Sequence, residues 1–99
     1  MNNTYTVSQI QDILVPIFRE YNIRKAVLFG SYAKGSAKDK SDIDLLVDSG
    51  LKGLAFFGLL EDVVNALGKE VDFLDTSQVI TDSDIENEIK ATGIVIYKK

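Results

Sequence analysis

A glycine- and serine-rich turn between two apolar runs constrains the fold of this chain more than any other feature. Residues 25–48 read KAVLFGSYAKGSAKDKSDIDLLVD. The run KAVLF predicts a short buried strand that ends at Gly30, and residues 43–47 predict a second strand. Residues 31–35 predict a turn that opens a short helix, and residues 37–41 predict a polar loop. The turn and the loop therefore bring polar groups to one end of two buried strands.

Two longer helical patterns flank these strands. Apolar residues at helical spacing predict a helix that begins at Thr6 or Ser8 and runs to about Tyr21. Pro16 lies inside this pattern, so we expect a kink or an interruption there. A second helix is predicted over residues 53–67, because a glycine follows in the position where helices commonly end.

The C-terminal part continues the alternation. Strands are predicted over residues 71–74 and 94–97, separated by a helix that starts near Thr81 or Ser83 and stops at Gly93. Strands alternating with helices predict an α/β (α+β) fold with a small mixed β-sheet flanked by helices. The chain has 99 residues and no linker or repeat, so we expect a single domain over residues 1–99.

Composition excludes several kinds of chemistry. The chain has no cysteine and no histidine, which excludes disulfides, thiolate chemistry and histidine-ligated zinc. A metal would need oxygen ligands, which favours magnesium or manganese. The formal net charge of −4 argues against a nucleic-acid partner. No apolar run could span a bilayer and the N-terminus lacks the features of a signal peptide, so we expect a cytoplasmic protein.

Two aspartates one residue apart are the candidate catalytic centre. On a strand, Asp42 and Asp44 would point to one face, while Ile43, Leu45 and Val47 would face the core. Like charges held this close repel each other, and a divalent cation would neutralise them. A solvated strand end could carry the same pattern, so the pair alone leaves both interpretations open.

Gly30 and Ser31 form a candidate phosphate-binding turn. Glycine after a strand lets the backbone turn sharply and approach a ligand, and the Ser31 hydroxyl can donate to a phosphate oxygen. An ordinary strand–helix turn would look the same. Residues 83–86 (SDIE) mimic residues 41–44 (SDID), but a helical pattern follows them. Their acidic groups are therefore predicted to cap a helix and to carry no chemistry.

Taken together, these residues resemble the signature of a known superfamily. Gly30-Ser31, ten further residues and then Asp42-x-Asp44 resemble the signature of the DNA polymerase β-like nucleotidyltransferases, and within them the minimal nucleotidyltransferase (MNT) family. The resemblance extends from the first helix to the last strand and implies the polymerase β-like nucleotidyltransferase fold. The family has a third carboxylate on a neighbouring strand. The matching candidate is Asp72, since strand parity directs Asp75 to the other face.

The resemblance implies a nucleotidyltransferase that uses ATP and two Mg²⁺ ions. The implied catalytic and metal-binding residues are Asp42, Asp44 and Asp72. The residues implied to hold the triphosphate are Gly30, Ser31, Lys34 and Ser41. Lys34 occupies a position where many relatives have arginine, and it offers a point charge without the bidentate fork. Asp72 is the implied acceptor for the proton of the attacking hydroxyl.

The resemblance also implies a protein partner. Minimal nucleotidyltransferases are commonly paired with an HEPN-domain toxin, and the implied role is that of an antitoxin, which transfers AMP to a tyrosine hydroxyl of the toxin. The sequence ends after the core fold, so we expect another protein or subunit, in a homo- or hetero-oligomer, to bring the acceptor. In the second long helix, the residues expected to be buried are Phe56, Leu60, Val63 and Leu67. Those expected to remain as surplus apolar surface, for docking or for cover by the fold itself, are Leu54, Phe57 and Val64.

Two other functions stay open at the level of sequence. The chain could transfer a nucleotide to a small hydroxylated molecule such as an aminoglycoside, or it could be a non-catalytic subunit that neutralises a partner by occlusion. Tyr32, inside the glycine–serine turn, is predicted to be an exposed turn residue, with stacking on the nucleotide as the alternative.

Overall fold

The computed structural model describes residues 4–99, in which helices and strands alternate throughout. The helices are α1 (Val7–Glu20), α2 (Ser31–Lys34), α3 (Leu54–Leu67) and α4 (Asp84–Thr92). The strands are β1 (Lys25–Phe29), β2 (Ile43–Asp48), β3 (Val71–Asp75) and β4 (Ile94–Lys98). A 3₁₀ turn, Thr76–Gln78, follows β3. The predicted order of elements is confirmed, and only the 3₁₀ turn was not predicted.

The four strands form one mixed sheet in the order β3-β2-β1-β4. Strand β1 is antiparallel to β2 and to β4, whereas β2 and β3 are parallel. A mixed sheet with helices packed on it confirms the predicted fold class. The register places Asp44 beside Asp72 on β3 and beside Phe29 on β1. The sheet thus brings together residues that lie far apart in the sequence.

Helices α1 and α3 cover one face of the sheet and form the core with it. The inward-facing residues of β2, namely Ile43, Leu45 and Val47, have no exposed surface, as predicted. They pack with the apolar stripes of the two helices, which are Ile10, Leu14, Phe18, Leu59, Val63 and Leu67. Burial of this apolar surface holds the helices on the sheet. The alternate residues of β2, Asp44 among them, therefore face the opposite side.

Helix α1 begins at a capping box and continues through its proline. The Thr6 side chain accepts from the Gln9 N–H, and the Gln9 side chain accepts from the Thr6 N–H. The expected interruption at Pro16 is wrong, because the helix runs unbroken to Glu20. Pro16 and Asp12, whose carbonyl loses its helical partner, both lie on the exposed side, where water can satisfy that carbonyl.

The buried stripe of α3 is rotated from the predicted one. Leu59, which we did not expect in the core, is fully buried, while Phe56 and Leu60 are only half-buried. Leu54 and Phe57 are exposed, as predicted, at 90% and 65%, whereas Val64, predicted to be surplus surface with them, is half-buried. The rotation lets Phe56 pack against Phe73 of β3, with ring centroids 5.5 Å apart. Within residues 4–99, none of the helices is long and apolar enough to cross a membrane.

The prediction of an exposed Tyr32 is wrong. Its ring joins the hydrophobic core and is only 3% exposed. Because α2 is a single turn closed by Gly35, its second residue faces inward toward the core. Its hydroxyl is buried without a hydrogen-bond partner among the described residues. Tyr32 therefore fixes the turn to the core and does not present a surface for stacking on a ligand.

Candidate active site

The parallel pairing of β2 with β3 brings two carboxylates together. Asp44 and Asp72 are register partners, and their carboxyl groups are placed to share a hydrogen bond when one of them is protonated. Asp44 is half-buried and Asp72 is exposed. A hydrogen bond between two carboxyl groups requires a proton on one of them, since two carboxylates offer only acceptors. The pair is thus a site that holds either a shared proton or a cation.

The environment of Asp44 opposes its negative charge. Burial is the largest cause, followed by the hydrogen bond to Asp72, and together with neighbouring charges they raise the pKa of Asp44 to about 7. The charges that act on it belong to Asp72, Glu88 and Asp42. A carboxyl group in such surroundings is a functional-site candidate, because a structural role would be served better by a satisfied or neutral side chain.

Gly30 is in direct contact with Asp44. A Cβ atom on Gly30 would overlap the Asp44 carboxylate oxygen Oδ2. The backbone of Gly30 has φ +73° and ψ −152°, a region that only glycine adopts freely. Its N–H is donated to the Thr92 hydroxyl at 3.0 Å. The predicted role of Gly30 in phosphate binding stays a prediction, but its N–H already has a partner within the chain.

The other predicted phosphate-binding residues line the path from α2 to β2. Ser31 is half-buried at the start of α2, and Lys34 is exposed at its end. The Ser41 hydroxyl accepts from the Lys38 N–H at 2.9 Å, so it shapes the loop that leads to Asp42. Lys34 and Ser41 line clefts other than the one at the carboxylate pair, and the contact of all three residues with a nucleotide stays a prediction.

Asp42 precedes β2 and is exposed. It lines a separate cleft of about 640 Å³ with Ser41, Lys69 and Glu70. Among residues 4–99, no group of three or more acidic side chains is arranged closely enough to hold a metal ion. The pair Asp44–Asp72 nevertheless fits one, because it offers the oxygen donors that Mg²⁺ prefers and an uncompensated negative charge. Asp42 would have to turn toward the pair to complete the predicted set.

A cavity of about 500 Å³ opens next to the pair and contains residues that the sequence did not reveal. Its polar end is formed by Asp44, Asp72 and Glu88, and its apolar wall includes Phe29 and Ile85. Ile85, Glu88 and Thr92 share one face of α4 by helical spacing, which was visible in the sequence. What this face meets was not visible, since the packing of α4 beside β1 is a tertiary contact.

Comparison with known proteins assigns the class. The sequence profile of the polymerase β nucleotidyltransferase family matches residues 12–99, and the chain belongs to that family. It is therefore a nucleotidyltransferase by family. It is 36% identical over 80 residues to the protein adenylyltransferase MntA of Thermococcus cleftensis, which covers 75% of this chain and 81% of the relative. It is 34% identical over 76 residues to MJ0435 of Methanocaldococcus jannaschii, provisionally named a protein adenylyltransferase, covering 74% of this chain and 81% of that protein.

Solved structures share the fold. A chain in a toxin–antitoxin crystal structure with AMP-PNP superposes with a TM-score of 0.75 at 24% identity, covering 90% of this chain and 73% of that one. A chain in a structure of the tri-AMPylated HEPN toxin of Shewanella oneidensis in complex with MNT antitoxin gives a TM-score of 0.70 at 20% identity, covering 95% and 74%. At these identities the likeness shows the fold alone, which is the polymerase β-like nucleotidyltransferase fold.

Proposed function

We propose that the chain is an adenylyltransferase that transfers AMP from ATP to a tyrosine hydroxyl of an HEPN-domain toxin and so acts as its antitoxin in the cytoplasm. The observation that carries the proposal is the Asp44–Asp72 pair: Asp44 lies against Gly30 and beside Asp72, and burial together with the neighbouring Asp72 carboxyl group raises the pKa of Asp44. A chain selected only to occlude a partner would gain nothing from a half-buried carboxyl group whose negative charge its surroundings oppose.

The residues that would hold Mg²⁺ are Asp44 and Asp72, with Asp42 as the third ligand. When bound, two such ions supply charge neutralisation, which lowers the pKa of the acceptor hydroxyl and stabilises the departing pyrophosphate. Ser31 would donate its hydroxyl to the triphosphate, and Lys34 would add a positive charge beside it. Ser41 would support the same loop through its hydrogen bond with Lys38.

The proposed reaction balances without another reactant. The tyrosine oxygen attacks the α-phosphorus of ATP, and a new O–P bond forms. The bond from that phosphorus to the bridging oxygen breaks, and pyrophosphate leaves with the electron pair. The proton of the tyrosine hydroxyl passes to Asp72, which is exposed and lies beside the reacting centre in our assignment. The chain contains no histidine, so a carboxylate is the reasonable base.

Two further observations favour a protein as acceptor. A relative that is 36% identical bears the name protein adenylyltransferase, and one fold neighbour comes from a complex of an HEPN toxin with MNT antitoxin. Apolar side chains are also exposed: Ile85 lines the cavity beside Asp72, and Leu54 and Phe57 project from α3, which covers the opposite face of the sheet. Apolar surface of this kind suits a protein partner better than it suits a polar aminoglycoside.

The test is a transfer assay with the intact protein. The purified chain would be incubated with MgATP and the HEPN protein encoded beside it, and the intact masses of both would be measured. We expect one or more AMP units on the partner and none when the chain carries Asp44→Asn. A tight complex without AMP would replace the proposal with occlusion. Transfer to hydroxylated small molecules, with none to the protein, would replace it with a small-molecule enzyme.

A further inference from the structure

Thr92, the last residue of α4, makes two hydrogen bonds that join this helix to the candidate active site. Its hydroxyl donates to the Glu88 carbonyl at 2.8 Å and accepts from the Gly30 N–H at 3.0 Å. The two bonds have opposite directions, so the hydroxyl uses its donor and one acceptor. Thr92 therefore bridges the C-terminal turn of α4 and the residue that touches Asp44.

Gly30 needs such a partner for two reasons. It is buried, and a buried N–H without a hydrogen bond is costly. Glycine can also adopt many backbone conformations, so steric restriction alone holds Gly30 only weakly in the one observed. Because the Asp44 carboxylate lies where a Cβ of Gly30 would be, a small shift of Gly30 would change the space available to Asp44.

The position of Thr92 is itself fixed by Gly93. A Cβ on Gly93 would overlap the Ile89 carbonyl and would press on the Val27 side chain of β1 at 3.0 Å. Gly93 thus lets the end of α4 approach β1 closely, and its own N–H donates to the Ile89 carbonyl at 2.8 Å. The helix end is a rigid support, which a positioning side chain requires.

We propose that Thr92 is a positioning residue of the active site: by holding the Gly30 N–H it fixes Gly30 against Asp44 and sets the direction of the Asp44 carboxylate. It touches neither nucleotide nor acceptor in this assignment. The same bond withdraws the Gly30 N–H from phosphate binding, which leaves Ser31 as the donor of this turn. The effect on catalysis rests on the proposed function, whereas the effect on Gly30 does not.

Thr92→Val and Thr92→Ser separate the hydroxyl from the shape of the side chain. Valine keeps the shape and loses both hydrogen bonds, and serine keeps the hydroxyl. We expect Thr92→Val to lower kcat for AMP transfer roughly tenfold, which is the effect of one lost hydrogen bond, with KM for ATP changed less than about twofold. Thr92→Ser should retain about half of kcat or more. Thr81→Val, at an exposed threonine just before α4, is the matched control and should leave both constants unchanged.

Amide hydrogen exchange at Gly30 tests the contact without any activity. In the metal-free protein, exchange of the Gly30 N–H should be roughly tenfold faster in Thr92→Val than in the wild type and near the wild-type rate in Thr92→Ser. Unchanged exchange in Thr92→Val would overturn the proposal. Equal kcat in the valine and serine variants would overturn it as well. If the wild type transfers no AMP at all, the proposed function fails, and the exchange rates still decide whether Thr92 holds Gly30.

Discussion

Two aspartates of β3, Asp72 and Asp75, lie three residues apart and have opposite environments. Asp75 is buried, yet it accepts from the N–H and the hydroxyl of Ser49 and from the N–H and the hydroxyl of Ser77. Burial alone would raise the pKa of Asp75, but these hydrogen bonds outweigh burial and lower it. Asp72 instead lies beside Asp44, and its carboxyl group helps to raise the pKa of Asp44.

The difference separates a structural carboxylate from the one that we propose to be functional. Asp75 fastens the end of β3 and the following 3₁₀ turn to the residue after β2, and it is satisfied within the chain. Among residues 4–99, no hydrogen-bond donor lowers the pKa of Asp44 in this way, and the cation that we propose for the pair would come from outside the chain. Burial and charge do not distinguish the two sites, because both have them. What distinguishes the two sites is the number of hydrogen-bond donors that reach each carboxylate.

The largest effect is expected on activity at the unsatisfied pair. Asp44→Asn removes one negative charge with almost no change of shape, and we expect AMP transfer to fall at least ~10²–10³-fold, the scale of losing one preorganised electrostatic group. Rates of AMP incorporation into the partner would measure it. Asp75→Asn, tested at a temperature where it stays folded, should retain more than about a third of the activity. A larger loss in Asp75→Asn than in Asp44→Asn would reverse our assignment of the two sites.

The second effect is on stability, where the loss of Asp75 should matter more than the loss of a member of the Asp44–Asp72 pair. Asp75→Ala leaves the donors of buried Ser49, and those of Ser77, without their charged acceptor, and we expect the free energy of unfolding to fall by about 2–3 kcal/mol. Asp72→Ala removes a repelling neighbour of Asp44, so the free energy of unfolding should fall by less than about 0.5 kcal/mol or should rise. Urea unfolding without metal would measure both. Similar losses in the two variants would contradict the distinction.

Gly30 offers a third test, because it combines backbone strain with contact to Asp44. Gly30→Ala should destabilise the fold by about 1–3 kcal/mol and also lower AMP transfer, since the new methyl group displaces the carboxylate. Gly35→Ala is the matched control. It has a similar φ of +76° but open space around its Cβ, so it should cost about 1 kcal/mol and spare the rate. Equal effects on the rate would show that strain alone matters.

The smallest effect is a pH dependence of opposite sign at the two sites. The pKa of Asp44 is raised in the folded, metal-free protein, so the folded state binds a proton that the unfolded state releases, and stability falls as pH rises from about 4 to about 7. The lowered pKa of Asp75 acts the other way: its stabilisation is present above the unfolded pKa near 3.8 and is lost as pH falls below it.

Unfolding in urea with EDTA at pH 5 and at pH 8 would measure the contribution of Asp44 to stability. The wild type should lose more stability between the two values than Asp44→Asn does, because asparagine cannot titrate. When the pH falls from 5 to 3, Asp75→Asn should lose less stability than the wild type loses. If the stability of Asp44→Asn varies with pH as that of the wild type does, the pKa of Asp44 is not raised in the folded protein.

The sequence by itself determined the order of elements, the Asp42–Asp44 pattern and the cap at Ser83. These depend on neighbours in the chain: strand parity, helical spacing and local hydrogen bonds such as that from the Glu86 N–H to the Ser83 hydroxyl. Strand parity also directed Asp72 and Asp75 to opposite faces, and the opposite environments of the two side chains agree with it. The resemblance of the glycine–serine turn and the two aspartates to the signature of a known family predicted the fold as well.

Only the tertiary structure decided what the side chains meet. The parallel register of β2 and β3 joined Asp44 to Asp72, and the packing of α4 brought Thr92 to Gly30. The rotation of α3 toward Leu59 and the burial of Tyr32 were missed for the same reason. Such contacts depend on how whole elements pack, and a periodic pattern fixes which face of an element is apolar without fixing which residues lie opposite it.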